Sequence, residues 1–220
     1  MATLQTDEAN IVDAEEVNWR LIVYPLLVIL AVVIGGLGYY YYLQSTRETA
    51  ESEARAAFIK ATTPADFLKV AEQYPQTDQA MLALMSGGDA SFAAHDYDGA
   101  LTAYHRVADN GKLGAQWRDA ATLGIASCLE AQGKQDDAIT AYLEVATRGE
   151  QSPFAPYAYN VVARIYDQRG DKTTEHSILQ QAATLDPGST FTRVAQDKLK
   201  ELDAAAQQPI SFNVNAPAAK

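Results

Sequence analysis

The sequence predicts an all-α protein: one membrane-spanning helix near the N-terminus, then a solenoid of helical hairpins. Three observations carry this. Residues 21–43, LIVYPLLVILAVVIGGLGYYYYL, hold no charged side chain. As a helix that run is roughly 34 Å long, and a bilayer's hydrocarbon core is roughly 30 Å thick. From Gln79 onward, apolar residues recur at helical spacing between tight turns rich in Gly and Asp. The turns HDYDGA (95–100), GKQDDA (133–138) and GDKTTE (170–175) put Ala100, Ala138 and Glu175 at one position, at intervals of 38 and then 37 residues. A period of that size with two helices per unit is the pattern of stacked hairpins.

In chain order, residues 1–18 form an acidic tail, with Asp7, Glu8, Asp13, Glu15 and Glu16. A cleaved secretory signal would start basic, have a shorter apolar core and end in small residues. Residues 19–43 read instead as a span. Trp19 and Tyr24 mark one end and Tyr39 to Tyr42 the other, as aromatic side chains do at headgroup level. Pro25 is expected in the first turn of the helix, where a missing N–H costs little. Ala31, Gly35 and Gly38 bring small residues to one stretch of the span. Two readings stay open for them: a contact for another membrane helix, or the ordinary abundance of glycine in such helices.

Counting Lys and Arg alone would place the large domain in the cytoplasm, with Arg20 before the span and Arg47, Arg55 and Lys60 after it. Long domains translocate largely regardless of charge. The architecture favours the short tail inside and the domain outside.

Residues 44–75 read as membrane-proximal helices. The segment to Ala61 is rich in Ala, Glu and Arg, so the span is expected to continue as helix. Thr62-Thr63-Pro64 then breaks it and starts a short helix, PADFLKVAEQY. Residues 76–205 hold the repeats, closed by an amphipathic helix at 190–205 that caps the open end. Residues 206–220 are expected to be unstructured.

Composition excludes some functions. The net charge of −11 repels phosphate backbones, so nucleic acid is not an expected partner. Cys128 is the single cysteine and lies in an apolar helix, as an inert core residue would. His95, His105 and His176 are scattered and read as surface residues. His95 with Asp96 and Asp98 could touch a metal, but no second ligand cluster accompanies them. No acid, base or nucleophile stands beside a partner, and no glycine loop suits a phosphate. The sequence predicts no enzyme, no cofactor and no metal site. The tyrosines of the repeats read as packing between helices.

The three units resemble tetratricopeptide repeats. In that family, small residues at the eighth and twentieth places let the paired helices touch. Here those places hold Gly88 and Ala100, Ala126 and Ala138, and Ala163 and Glu175. An aromatic commonly follows four places later, as do Tyr104 and Tyr142; Leu179 departs from this. The closing proline is matched by Pro187 alone. With Glu175 in place of a small residue, the third unit is expected to pack loosely.

The resemblance implies a groove lined by the second, fifth, ninth and twelfth residues of each first helix. These are Leu82, Met85, Asp89 and Phe92; Ala120, Leu123, Ser127 and Glu130; Tyr157, Asn160, Arg164 and Asp167. The candidate protein-binding residues are Met85, Asp89, Phe92, Leu123, Ser127, Glu130, Tyr157, Asn160, Arg164 and Asp167.

The whole layout is similar to that of the YfgM-type proteins of bacterial inner membranes. That similarity implies an ancillary, chaperone-like role beside the SecYEG translocon, with soluble chaperones or clients as further partners. It also implies a cytoplasmic N-terminus and a periplasmic domain. The other reading left open is a structural or assembly subunit of a different multi-subunit membrane complex.

Overall fold

The computed structural model describes residues 19–207. The expected acidic tail at 1–18 lies outside them. So does the expected unstructured tail, except Ala206 and Gln207, which end the last helix. The described residues form nine α-helices and one short 3-10 turn, with no strand. They divide into two compact units after Thr49.

The first unit is the greater part of α1 (Trp19–Lys60). Every side chain from Ile22 to Leu43 is exposed, and the helix is long and apolar enough to cross a membrane. Pro25 is not in the first turn as expected, because the helix begins earlier, at Trp19. Its ring therefore removes one backbone hydrogen bond from inside the helix.

The second unit starts at Ala50, in the last turns of α1. It contains α2 (Pro64–Gln73), α3 (Asp78–Ala93), α4 (Tyr97–Ala108), α5 (Ala115–Ala131), α6 (Gln135–Ala146), α7 (Ala155–Gln168), α8 (Lys172–Ala183) and α9 (Thr190–Gln207). Helix α2 starts as its sequence demands. The Thr63 hydroxyl accepts from the Asp66 N–H at 3.2 Å, and Asp66 Oδ2 accepts from the Thr63 N–H at 3.0 Å.

Pairs α3–α4, α5–α6 and α7–α8 are hairpins with one turn geometry. In each, two N–H groups reach back to the end of the first helix. These are His95 and Asp96 to Phe92 and Ser91, Gly133 and Lys134 to Glu130 and Leu129, and Gly170 and Asp171 to Asp167 and Tyr166, all at 2.9–3.0 Å. The turn needs a left-handed residue. Gly133 and Gly170 supply it with φ of 78° and 74°, but the first turn uses His95 at φ 62°. A side chain there is strained where glycine is not.

The core is laid down in layers between neighbouring helices. Phe58, Phe67, Val70 and Ala83 pack the first; Tyr104, Val107, Ala121 and Cys128 the second; Tyr142, Val145, Val162 and Leu179 the third. Leu84 and Leu129 each join two adjacent layers. Helix α9 closes the stack with Thr192 and Ala195 buried.

The third hairpin is not loose. Glu175, in the small-residue place, is buried, and its carboxylate accepts from Lys172 Nζ at 3.0 Å. Leu179 fills the aromatic place and is buried too. A buried charge is tolerated when paired in this way.

Asp119 of α5 is fully buried. Arg148, just after α6, brings Nη1 to 2.9 Å from Asp119 Oδ1. The alignment is not that of a hydrogen bond, so attraction between charges holds this pair. The partners differ in access to water, 30 % exposed for the Arg148 side chain and 0 % for Asp119. Arg148→Met strands a buried carboxylate and is expected to cost roughly 3 kcal/mol in urea unfolding. Asp119→Asn is expected to cost distinctly less, because Arg148 can turn to water and to Glu144, 3.2 Å away. Equal losses would show that burial of Asp119 does not set the asymmetry.

Candidate functional site

The first helices α3, α5 and α7 lie in a row, and a groove of about 520 Å³ opens along them. Phe92, Ser127, Glu130, Ala131, Tyr142, Tyr157, Val161 and Arg164 line it. Five of these, Phe92, Ser127, Glu130, Tyr157 and Arg164, are expected groove residues. Leu123 is buried in the core, and Met85 packs partly buried against the layer around Tyr104. Asp89, Asn160 and Asp167 are engaged by neighbours, as follows.

Tyrosines on the second helices reach through to the carboxylates of the first. The Tyr104 hydroxyl donates to Asp89 Oδ1 at 2.6 Å. The Tyr142 hydroxyl lies 3.2 Å from Glu130 Oε2 and 3.0 Å from Ser127 Oγ. Arg164 Nη2 of the next unit donates to Glu130 Oε1 at 2.7 Å. Asn160 Nδ2 donates to the carbonyls of Pro156 and Phe191, at 2.7 and 3.0 Å. Asp167 is paired with Lys172, which also holds Glu175. Position thus makes the groove polar at its floor and aromatic at its sides.

These partners shift the titrations. Burial raises the Tyr104 hydroxyl far above its ordinary value, and Asp89 adds to this by hydrogen bond and by charge. Burial pushes Tyr142 up to about 12 and the Cys128 thiol up to about 11. Those phenols therefore stay protonated donors. Hydrogen bonds from Thr63 hold the Asp66 carboxyl low, and the Lys172 hydrogen bond does the same for Asp167.

Close packing decides where the rings go. A Cβ added to Gly88 of α3 would stand 2.6 Å from Tyr104 Cε1; one added to Gly124 of α5 would stand 2.7 Å from its Cζ. Tyr104 thus fits only because both neighbours are glycines. Gly124 lies outside the eighth place, where Ala126 stands, so the repeat pattern alone did not mark it.

The remaining sequence candidates are accounted for locally. Asp96 caps α4 by accepting from the Gly99 N–H at 3.0 Å, and His95 Nδ1 lies 2.9 Å from the Tyr97 hydroxyl. His176 pairs with Asp203 of α9 at 3.0 Å. Among the described residues no three His, Cys, Asp or Glu side chains converge to hold a metal. Ala31, Gly35 and Gly38 stand on exposed helix, and a Cβ at either glycine would meet nothing within 4 Å. Sequence reasoning missed Tyr142, Val161 and Ala131 as lining residues. The recurrence of tyrosine four residues after Ala100 and Ala138 was the signal for the first.

Hairpins stacked in one direction around an open groove define an α-solenoid. Against known protein families, residues 16–204 match the tetratricopeptide repeat-like domain, and the chain belongs to that family. The match takes in the apolar N-terminal helix as well as the hairpins. No curated protein matches the chain. The fold is one that typically serves as an interaction scaffold without catalysis.

Gly124→Ala is expected to lower stability by about 1–3 kcal/mol, since the Tyr104 ring has glycine on both sides and nowhere to move. An unchanged melting temperature would mean that the ring can shift. Lys172→Met leaves Glu175 without its cation and Asp167 with only the more distant charge of Lys198. Asp167 titrates below its ordinary value, so its pairing stabilises the fold above the carboxylate range and is lost as pH falls through the lowered value. The difference in melting temperature between wild type and Lys172→Met is therefore expected to be full near pH 7 and to shrink in acid below about pH 4. A difference independent of pH would reject this.

Proposed function

We propose that the chain is a membrane-tethered scaffold that holds another protein in the groove along α3, α5 and α7. The observation that carries this reading is the groove itself. Phe92, Tyr157 and Val161 give it apolar surface, and no described segment of the chain fills it. An open row of first helices with rigid side chains suits binding of a peptide or partner helix. The tether is supported by α1. From Ile22 to Leu43 it buries nothing within the chain. An apolar helix of that length in water would be strongly unfavourable, and lipid removes the penalty. A soluble core helix would be mostly buried, and a secretory signal would not begin with five carboxylates.

The finer reading is an ancillary, chaperone-like role beside the translocon of a bacterial inner membrane, with the N-terminus in the cytoplasm and the hairpins in the periplasm. Its support is the layout: acidic tail, apolar helix of membrane length, short helix, then repeats. A second reading is supported by the open surface at Gly35 and Gly38. It makes the chain a structural or assembly subunit of another membrane complex, held through its span.

One experiment separates these. A photo-crosslinking residue replaces Tyr157, and the chain is purified from gently solubilised membranes for mass spectrometry. Crosslinks to translocon subunits and soluble chaperones are expected. Stoichiometric recovery of a different membrane complex, without crosslinks at position 157, would move the function to the span. Recovery of the chain alone would reject both.

A further inference from the structure

Helix α9 packs against both α7 and α8, as α5 packs against α3 and α4, so it takes the place of a further first helix as well as ending the stack. Three bonds between neighbouring units join residues 34 apart: Gln132 to Asp98, Arg164 to Glu130, and Arg169 to Gln135. Tyr157 of α7 and Phe191 of α9 have the same separation and meet in the same way across the last joint. The rings of Tyr157 and Phe191 meet edge to face at 5.1 Å, and Asn160 Nδ2 donates to the Phe191 carbonyl at 3.0 Å. The adjoining face of α9 buries Thr192 and Ala195. Phe191 and Val194 remain 43 % and 50 % exposed. A helix that only closed an end would carry polar side chains there.

Charge narrows what could cover this surface. At the groove positions, each cation already has a carboxylate. Arg164 has Glu130, Lys198 has Glu201, and Lys172 is shared by Asp167 and Glu175. Asp89 receives only the neutral hydroxyl of Tyr104. An acidic partner would find these three cations already paired, whereas a lysine or arginine would find Asp89. Residues 44–207 hold 15 Lys and Arg against 23 Asp and Glu, and that net charge of −8 works in the same direction at longer range.

We infer that the groove continues onto α9, and that Phe191 and Val194 seat apolar side chains of a basic amphipathic segment of another protein. This rests on the groove being a protein-binding surface and adds the end point and the chemistry of the partner.

The test uses the full chain in an uncharged detergent, with empty micelles as the blank. Two labelled helical peptides share one leucine–phenylalanine stripe; one carries lysines on its other face and one carries glutamates. Fluorescence anisotropy is expected to show the lysine peptide binding at least about tenfold tighter. Phe191→Gln with Val194→Gln is expected to weaken it about tenfold, a typical loss for removing a central apolar anchor. Both side chains are exposed, so helicity and melting temperature should hold. Trp117→Gln, another exposed aromatic outside the groove lining, is expected to bind as wild type. Asp89→Asn keeps an acceptor for Tyr104 and is expected to narrow the preference for lysine.

Equal binding of both peptides, or full affinity in the double variant, overturns the inference. So does self-association of the wild type that the double variant abolishes, since a second copy would then be the occupant. If position 157 still crosslinks to a protein while the lysine peptide fails to bind, the scaffold reading stands and this inference falls.

Discussion

The structure depends on how closely its helices approach. The phenol of Tyr104 occupies the space that side chains at Gly88 and Gly124 would take, which brings α3, α4 and α5 together around one ring. Ala100, Ala126, Ala138 and Ala163 are buried at the corresponding places of the hairpins. Once the backbones are this near, a tyrosine from a second helix is long enough to pass between first helices and hydrogen-bond a carboxylate beyond them. Asp89 is held by that reach, and Glu130 by it together with Arg164. Packing and groove chemistry are therefore one device here. The ring fills the core, and its hydroxyl finishes the floor of the groove.

Much of the architecture was legible because it rests on local rules. A charge-free run of membrane length, Thr63 before Pro64, and glycines at 133 and 170 each have one dominant physical meaning. His95 in the left-handed place of the first turn was not legible, since only comparison with the other two turns reveals that a glycine is missing. The reading of the third hairpin failed for a different reason. Judged by size, Glu175 looks too large for a small-residue place; judged by partners, it is acceptable because Lys172 is one turn before it.

Long-range pairs were the hardest part. Asp119 looks like an ordinary polar residue in the first turn or two of a helix. Its burial follows from Arg148 arriving across the α5–α6 hairpin, and nothing in either segment announces the other. The groove was half legible for a similar reason. Register identifies which residues of a first helix face inward, as for Ser127, Glu130 and Arg164. It does not say which of them, like Leu123, sink into the core, or that Tyr142 rises from the second helix to join them. Those outcomes depend on side-chain length against the local gap between helices.

The bonds that tie one unit to the next recur at intervals of about one repeat, from Asp98 to Gln132, Glu130 to Arg164, Gln135 to Arg169 and Asp136 to Arg169. Asp98 with Gln132 and Asp136 with Arg169 join the same two places, the start of a second helix and the residue that closes the next first helix, so each joint lies between neighbours. Contacts confined to neighbours let a chain of this kind grow or shrink by whole hairpins. The reach of the binding surface is then inherited in discrete steps, one hairpin at a time.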